Sequence, residues 1–166
     1  MTDAELREVH VVGFPLALHA RGTEHHEELM REFQLLAINP PTSSPGHEVP
    51  QRLIDLVDEL TQDFGGFNDA PDAERDAALE RGDESVDLVY RLPEAATEAV
   101  DRLDRMLDEA DEFCRAGERL LTLAAPPDCA AFRRWYLNEF RVQLAGGGPT
   151  PWPDYVAAHP EAFAVA

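Results

Sequence analysis

One plan recurs along this chain and limits what it can fold into: an apolar, strand-like run, then proline, then a helix-like segment. The passages are HVVGFPLALHARGTEHHEELMREFQLLA, VDLVYRLPEAATEAVDRLDRMLDEADEFC and LLTLAAPPDCAAFRRWYLNEFRVQL. In the second, Val86, Leu88, Tyr90 and Leu92 alternate with Asp87 and Arg91, the period of a strand with one buried face. Pro93 and the pair Pro126–Pro127 suit the first turn of a following helix, where a missing N–H costs nothing. Beyond the shared plan the residues do not match, so the passages are not a true repeat.

The intervening segments read as helices and loops. Thr23 is a good N-cap for a first helix whose inner face is Leu29, Phe33 and Leu36. NPPTSSPGHEVP is a loop by composition. A second helix starts near Pro50, buries Leu53, Leu56, Val57, Leu60 and Phe64, and stops at Gly65–Gly66. A short acidic helix over Pro71–Arg81 ends at Gly82. The third long helix, about 93–116, carries a continuous apolar seam of Ala96, Ala99, Leu103, Met106, Ala110 and Phe113. Its other face holds Asp101, Asp104, Asp108, Glu109, Asp111 and Glu112, which reads as solvated. A fourth helix runs over about 127–145 and stops at Gly146–Gly148.

The predicted order is β-α-α-(α)-β-α-β-α, a single small α/β domain over residues 1–148. It has about three strands, with four to five helices packed on the sheet. A strand, a helix and a further strand in succession favour parallel pairing through a right-handed crossover. Residues 149–166 form a Pro-rich tail packed on the domain, with Trp152 and Tyr155 as anchoring aromatics.

Charge narrows the function. All 14 basic residues are arginine, against 33 Asp and Glu, for a net charge of −19. Such a surface repels a phosphate backbone and argues against nucleic acid. The excess is uneven. Residues 1–114 hold 9 arginines against 28 carboxylates, whereas residues 115–166 hold 5 of each. The N-terminal MTDAELREVH has no apolar core of the signal-peptide kind, and no run approaches a membrane span, so a cytoplasmic location is expected.

Candidate chemistry is sparse. His25 and Glu28 stand one helical turn apart with Glu32 a turn later, and three such groups could hold a divalent metal. HExxH spacing is absent, and glutamates in a first helical turn already have a stabilising role there, so no metal or other cofactor is expected. Cys129 lies in the first turn of the fourth helix, where the dipole lowers a thiol pKa, but no base pattern accompanies it. Cys129 and Cys114 read as buried thiols. GxGxxG and GxxxxGK[ST] are both absent. In FRRWYLNEF, Phe132, Trp135, Tyr136 and Phe140 face the core. Arg133, Arg134 and Arg141 then either pair with the acidic third helix or form a docking spot for an anionic or acidic partner. Helical geometry predicts Arg134 and Arg141 as the solvent-facing pair, with Arg133 tied to the third helix or the tail.

The phrases PLALHARGTEHHEELMREFQLLA, EADEFCRAGERLLTLAAPPDCAAFRRWYLNEF and PTPWPDY resemble a family of small actinobacterial proteins of uncharacterised function. Its members accompany partner-switching components: anti-sigma-factor kinases, their antagonists and phosphatases. The resemblance implies a regulatory context. A second resemblance, in LVDELTQD, is to the N-box of the anti-sigma kinase ATP-binding fold. There Glu59 matches the family's glutamate, while Asp63 replaces the asparagine that helps hold magnesium, and no DxGxG follows DLVYRL.

Two functions are therefore expected. The first is a non-enzymatic regulatory module in bacterial signalling that works by contact with a protein partner through Arg134, Arg141 and Arg133. The second is a degenerate nucleotide- or small-ligand-binding protein using Glu59 and Asp63. The oligomeric state, homodimer included, stays open.

Overall fold

The computed structural model describes residues 6–38, 48–116 and 124–163. Its elements in order are β1 (Leu6–Pro15), α1 (Leu16–Ile38), α2 (Val49–Phe64), α3 (Asp69–Arg81), β2 (Ser85–Pro93), α4 (Ala96–Ala116), α5 (Pro127–Leu144) and α6 (Trp152–Ala158). A 3-10 turn, Gly65–Asn68, joins α2 to α3, and another, Pro160–Phe163, follows α6. The result is an α/β domain, mostly helical. No helix among the described residues is long and apolar enough to cross a membrane.

β2 alternates as its sequence predicts, with Val86, Leu88, Tyr90 and Leu92 buried and Asp87, Val89 and Arg91 exposed. Its partner is β1, and the pairing is antiparallel, from Leu6 opposite Pro93 to Pro15 opposite Ser85. The parallel pairing favoured by a strand, a helix and a strand in succession does not extend to these two strands, which three helices separate along the chain. The crossover rule sets the hand of a connection between parallel strands; it does not dictate that strands separated by helices be parallel. Among the described residues the sheet has these two strands. The third predicted strand, in LLTLAA, falls largely on residues 117–123 and lies outside the described residues.

β1 carries an irregularity between Val11 and Phe14. Gly13 sits there at φ +74°, where a side chain is strained, and a Cβ would lie 3.1 Å from Cδ of Pro153. Its N–H donates to Oδ1 of Asp87 at 2.8 Å. The kink lets the start of α6 lie directly on β1. On the same strand Gln143 of α5 behaves as a substitute neighbour: Oε1 accepts the His10 N–H at 2.8 Å and Nε2 donates to the His10 carbonyl at 2.9 Å. Backbone groups on the edge of β1 that faces away from β2 are thereby satisfied at His10.

α1 begins at Leu16, directly after Pro15, so Thr23 lies within the helix and does not cap it. Leu16, Ala17, Leu18 and Ala20 are strong helix formers, and α1 continues through Gly22 at the cost of one poor residue. α4 begins at Ala96, because Pro93 still belongs to β2. α3 ends at Gly82, which has the left-handed φ of +77° expected of such a stop.

Two cores result. Val9, Val11 and Phe14 of β1 and the inward residues of β2 pack on Phe132, Trp135, Phe140 and Leu144 of α5. Leu29 and Phe33 of α1, Leu53 and Leu56 of α2, and Met106, Ala110 and Cys114 of α4 form the other. α5 touches the sheet, α1 and α4, and so is the central helix. The tail joins the first core: Trp152 meets Trp135 and Phe132 at ring separations of 5.1 and 5.8 Å, and Nε1 of Trp135 donates to the Thr150 carbonyl at 2.7 Å.

Candidate functional site

The three arginines of α5 have different fates. Nη1 of Arg133 donates to Oδ2 of Asp111 at 3.0 Å, and Nη2 donates to Oδ1 of Asp108 at 2.6 Å. Two turns later, Nε of Arg141 donates to Oδ1 of Asp101 at 2.7 Å and Nη2 to Oδ2 of Asp104 at 3.2 Å. The carboxylates at 101, 104, 108 and 111 are spaced by three, four and three, one stripe of a helix. α5 runs antiparallel to α4, so its two guanidiniums each bracket a pair of them. Arginine's planar fork suits this double contact in a way that an ammonium does not.

This corrects two expectations. Asp111 is not on a solvated face, being only 5% exposed, and it also accepts the Ala125 N–H at 3.3 Å. Arg141 is not a free surface cation; its carboxylate partners hold its pKa above the ordinary value, and its side chain is 36% exposed. Arg133 is tied to α4, its side chain 16% exposed.

Arg134 differs. It is exposed and has no ion-pair partner among the described residues. Its charge acts on the phenol of Tyr155, whose pKa burial raises and Arg134 lowers. Tyr155 belongs to a ladder of stacked rings, 5.6 Å from Trp152 on one side and 4.0 Å from His159 on the other. All three rings are half-exposed. A cation beside partly exposed Trp and Tyr is the composition of a protein-binding hot spot.

The other candidates are less promising. Both oxygens of Glu59 accept from Arg102, at 2.8 and 2.9 Å, which draws the carboxyl pKa below its ordinary value. Asp63 is exposed one turn later. A nucleotide-bound magnesium would first have to displace Arg102. Glu28 is exposed, and no group of three metal-holding side chains, His25, Glu28 and Glu32 included, comes together among the described residues. Burial raises both thiol pKa values, that of Cys114 to about 11, so neither resembles an activated nucleophile. For Cys129 burial is the first cause, and the charge of Asp128 acts in the same direction.

Polar groups that the sequence reading passed over lie within the core. Glu139 is 2% exposed, and its Oε2 accepts both Nε2 of Gln143 (2.9 Å) and the Thr150 N–H (3.0 Å). Burial raises its pKa. The hydroxyls of Tyr136 and Tyr90 bond to each other at 2.8 Å. A signal existed for the first: Glu139 and Gln143 are four apart, in line with Trp135 on the apolar side of α5. Among the described residues, the surface around Arg134 offers a cation and partly exposed rings. Comparisons with protein-family models, with curated proteins and with solved structures found no match.

Proposed function

We propose that the chain is a non-enzymatic protein-contact module in bacterial signalling, within the partner-switching setting that its sequence resemblance implies. The supporting observation is the exposed Arg134 beside the stacked ladder of Trp152, Tyr155 and His159. This surface belongs to the stretch 115–166, whose arginines balance its carboxylates, while the remainder of the chain is strongly acidic. An acidic partner would be steered away from the rest of the molecule and accepted here.

Arg141 has no part in that surface, and Arg133 serves to hold α5 on α4. The test immobilises the whole chain and passes an actinobacterial lysate over it, alongside Arg134→Glu and Tyr155→Ala variants. A stoichiometric protein partner should be retained by the wild type and at least tenfold less by either variant, with Arg134→Glu unfolding at the wild-type temperature and Tyr155→Ala, which loses ring packing against Trp152, still folded at the assay temperature. Retention of no stoichiometric protein, or equal retention by both variants, would overturn the reading.

A further inference from the structure

A cavity of about 340 Å³ opens where the two cores meet, between α2, α4 and α5. It exists because α4 presents alanines there. Ala96 and Ala99 are buried but short, so Leu60 and Phe64 of α2 and Tyr136 and Phe140 of α5 stand around a space that they do not fill. Its volume is at the lower end of the roughly 300–1,000 Å³ range of small-molecule sites. Protein interiors are otherwise close-packed, with few voids larger than a water molecule.

The chemistry of the wall is selective. In a chain that is 28% charged, no Asp, Glu or Arg among the described residues lines this cavity. The surface clefts flanking it differ: Arg141 with Asp101 and Asp104 lines one, and Arg102 with Glu59 lines another. Hydrogen-bonding capacity inside the cavity is also rationed. The Tyr136 hydroxyl is engaged by Tyr90, and the Thr61 hydroxyl donates to the Val57 carbonyl at 2.7 Å. With those two hydroxyl hydrogens committed, His26 and Asn68 are the side chains on the described lining that can still donate to an occupant. Burial lowers the His26 pKa, and His25 beside it acts in the same direction, which favours the neutral imidazole. A charged ligand would enter this space without a counter-charge, at a large desolvation cost. An organic anion would in addition be repelled by the net charge of −19.

We propose that this cavity is a binding site for a small uncharged molecule with a hydrophobic ring system and one hydrogen-bonding group. The ring system fills the gap over Ala96 and Ala99, and the polar group meets His26 or Asn68. The site is separate from the Arg134 surface and does not depend on it.

The probe for the test is N-phenyl-1-naphthylamine, which is uncharged, aromatic and carries a single N–H. Its fluorescence is titrated with the full chain. Saturation at one probe per chain with micromolar affinity is expected, and the anionic analogue 1-anilinonaphthalene-8-sulfonate should bind at least tenfold more weakly. Ala99→Phe fills the cavity and should weaken the uncharged probe at least tenfold. Ala96→Leu fills it from one helical turn away and serves if the first variant fails to fold. The double variant Leu35→Ser, Ile38→Ser, at the exposed apolar pair near the end of α1, should leave binding unchanged. The proposal is overturned if binding does not saturate at one per chain or if a folded cavity-filling variant binds normally. It is equally overturned if the anionic analogue binds as tightly, or if the Leu35→Ser, Ile38→Ser variant abolishes binding.

Discussion

The two arginine brackets between α4 and α5 should differ in strength, and burial indicates by how much. In the inner bracket the Arg133 and Asp111 side chains are 16% and 8% exposed. In the outer bracket Arg141 is 36% exposed, with Asp101 and Asp104 at 44% and 25%. Breaking a buried pair by deleting one partner costs ~3–5 kcal/mol, because the survivor keeps an uncompensated charge. Asp108 would still hold Arg133 at 2.6 Å after Asp111→Ala, but the Ala125 N–H would lose its acceptor. These considerations reduce the expected cost to about 2–3 kcal/mol. Asp101→Ala, in the more exposed bracket, should cost ~0.2–1 kcal/mol. Urea unfolding followed by the fluorescence of Trp135, only 1% exposed, reports both. In a thermal scan the inner variant should fall by about 5–10 °C and the outer by about 3 °C or less. High salt should erase the outer effect and leave most of the inner one. Equal losses for the two variants, or an inner loss under about 1 kcal/mol, would refute the argument that burial ranks these pairs.

Other expectations are as specific. Glu139→Gln keeps an acceptor for Thr150 and Gln143 while removing a buried charge. Because the folded carboxyl has a raised pKa, the wild type is stabilised by protonation and loses that stability as pH rises from ~4.3 upward. The variant should thus match or exceed the wild type by about 1 kcal/mol at pH 7, and the gap should close below pH ~4, as chemical denaturation across pH would reveal. Leu103→Ala should cost about 1–2 kcal/mol, less than a fully buried leucine, since Leu103 is half-buried and already borders the cavity; calorimetry measures it. Gly22→Ala should stabilise α1 by ~0.5–1 kcal/mol, because an added Cβ there meets nothing within 4 Å. A lower melting temperature for that variant would show that the glycine has another role.

Local pattern was readable and neighbourhood was not. The alternation at Val86–Leu92, the α4 seam from Ala96 to Ala110, and the stop at Gly82 depend on nearest neighbours along the chain, and these appear as expected. Strand direction depends on how the three helices that connect the strands pack, which no residue near β1 or β2 encodes. Arg141 illustrates the same limit. Periodicity places it on a polar flank of α5, but only the antiparallel approach of α4 brings Asp101 and Asp104 to it. Thr23 misled for a different reason: a good N-cap residue is also tolerated inside a helix when stronger formers upstream begin the helix earlier. The sequence places Arg134 next to Trp135 and Tyr136, but Trp135 is buried, and the ring on which Arg134 acts, Tyr155, comes from a separate helix. The cavity had no signal of its own, since alanine in an apolar seam normally means close packing.

The pairing of β1 with β2 also has a kinetic side. The nearest paired residues, Pro15 and Ser85, are separated by a loop of about 70 residues. Each doubling of a loop adds ~0.6 kcal/mol to the entropy of closing it, so this ribbon starts some 2.5 kcal/mol behind a tight hairpin. It therefore makes a poor nucleus. Helix pairs such as α1 with α2 close far shorter loops and can associate first, and the ribbon then zips onto a preassembled surface. Removing β1 would leave β2 without its ladder and Gln143 without its backbone partner, so the loss would propagate through α5 to both cores together. Slow ribbon closure and all-or-none unfolding are then two aspects of the same topology.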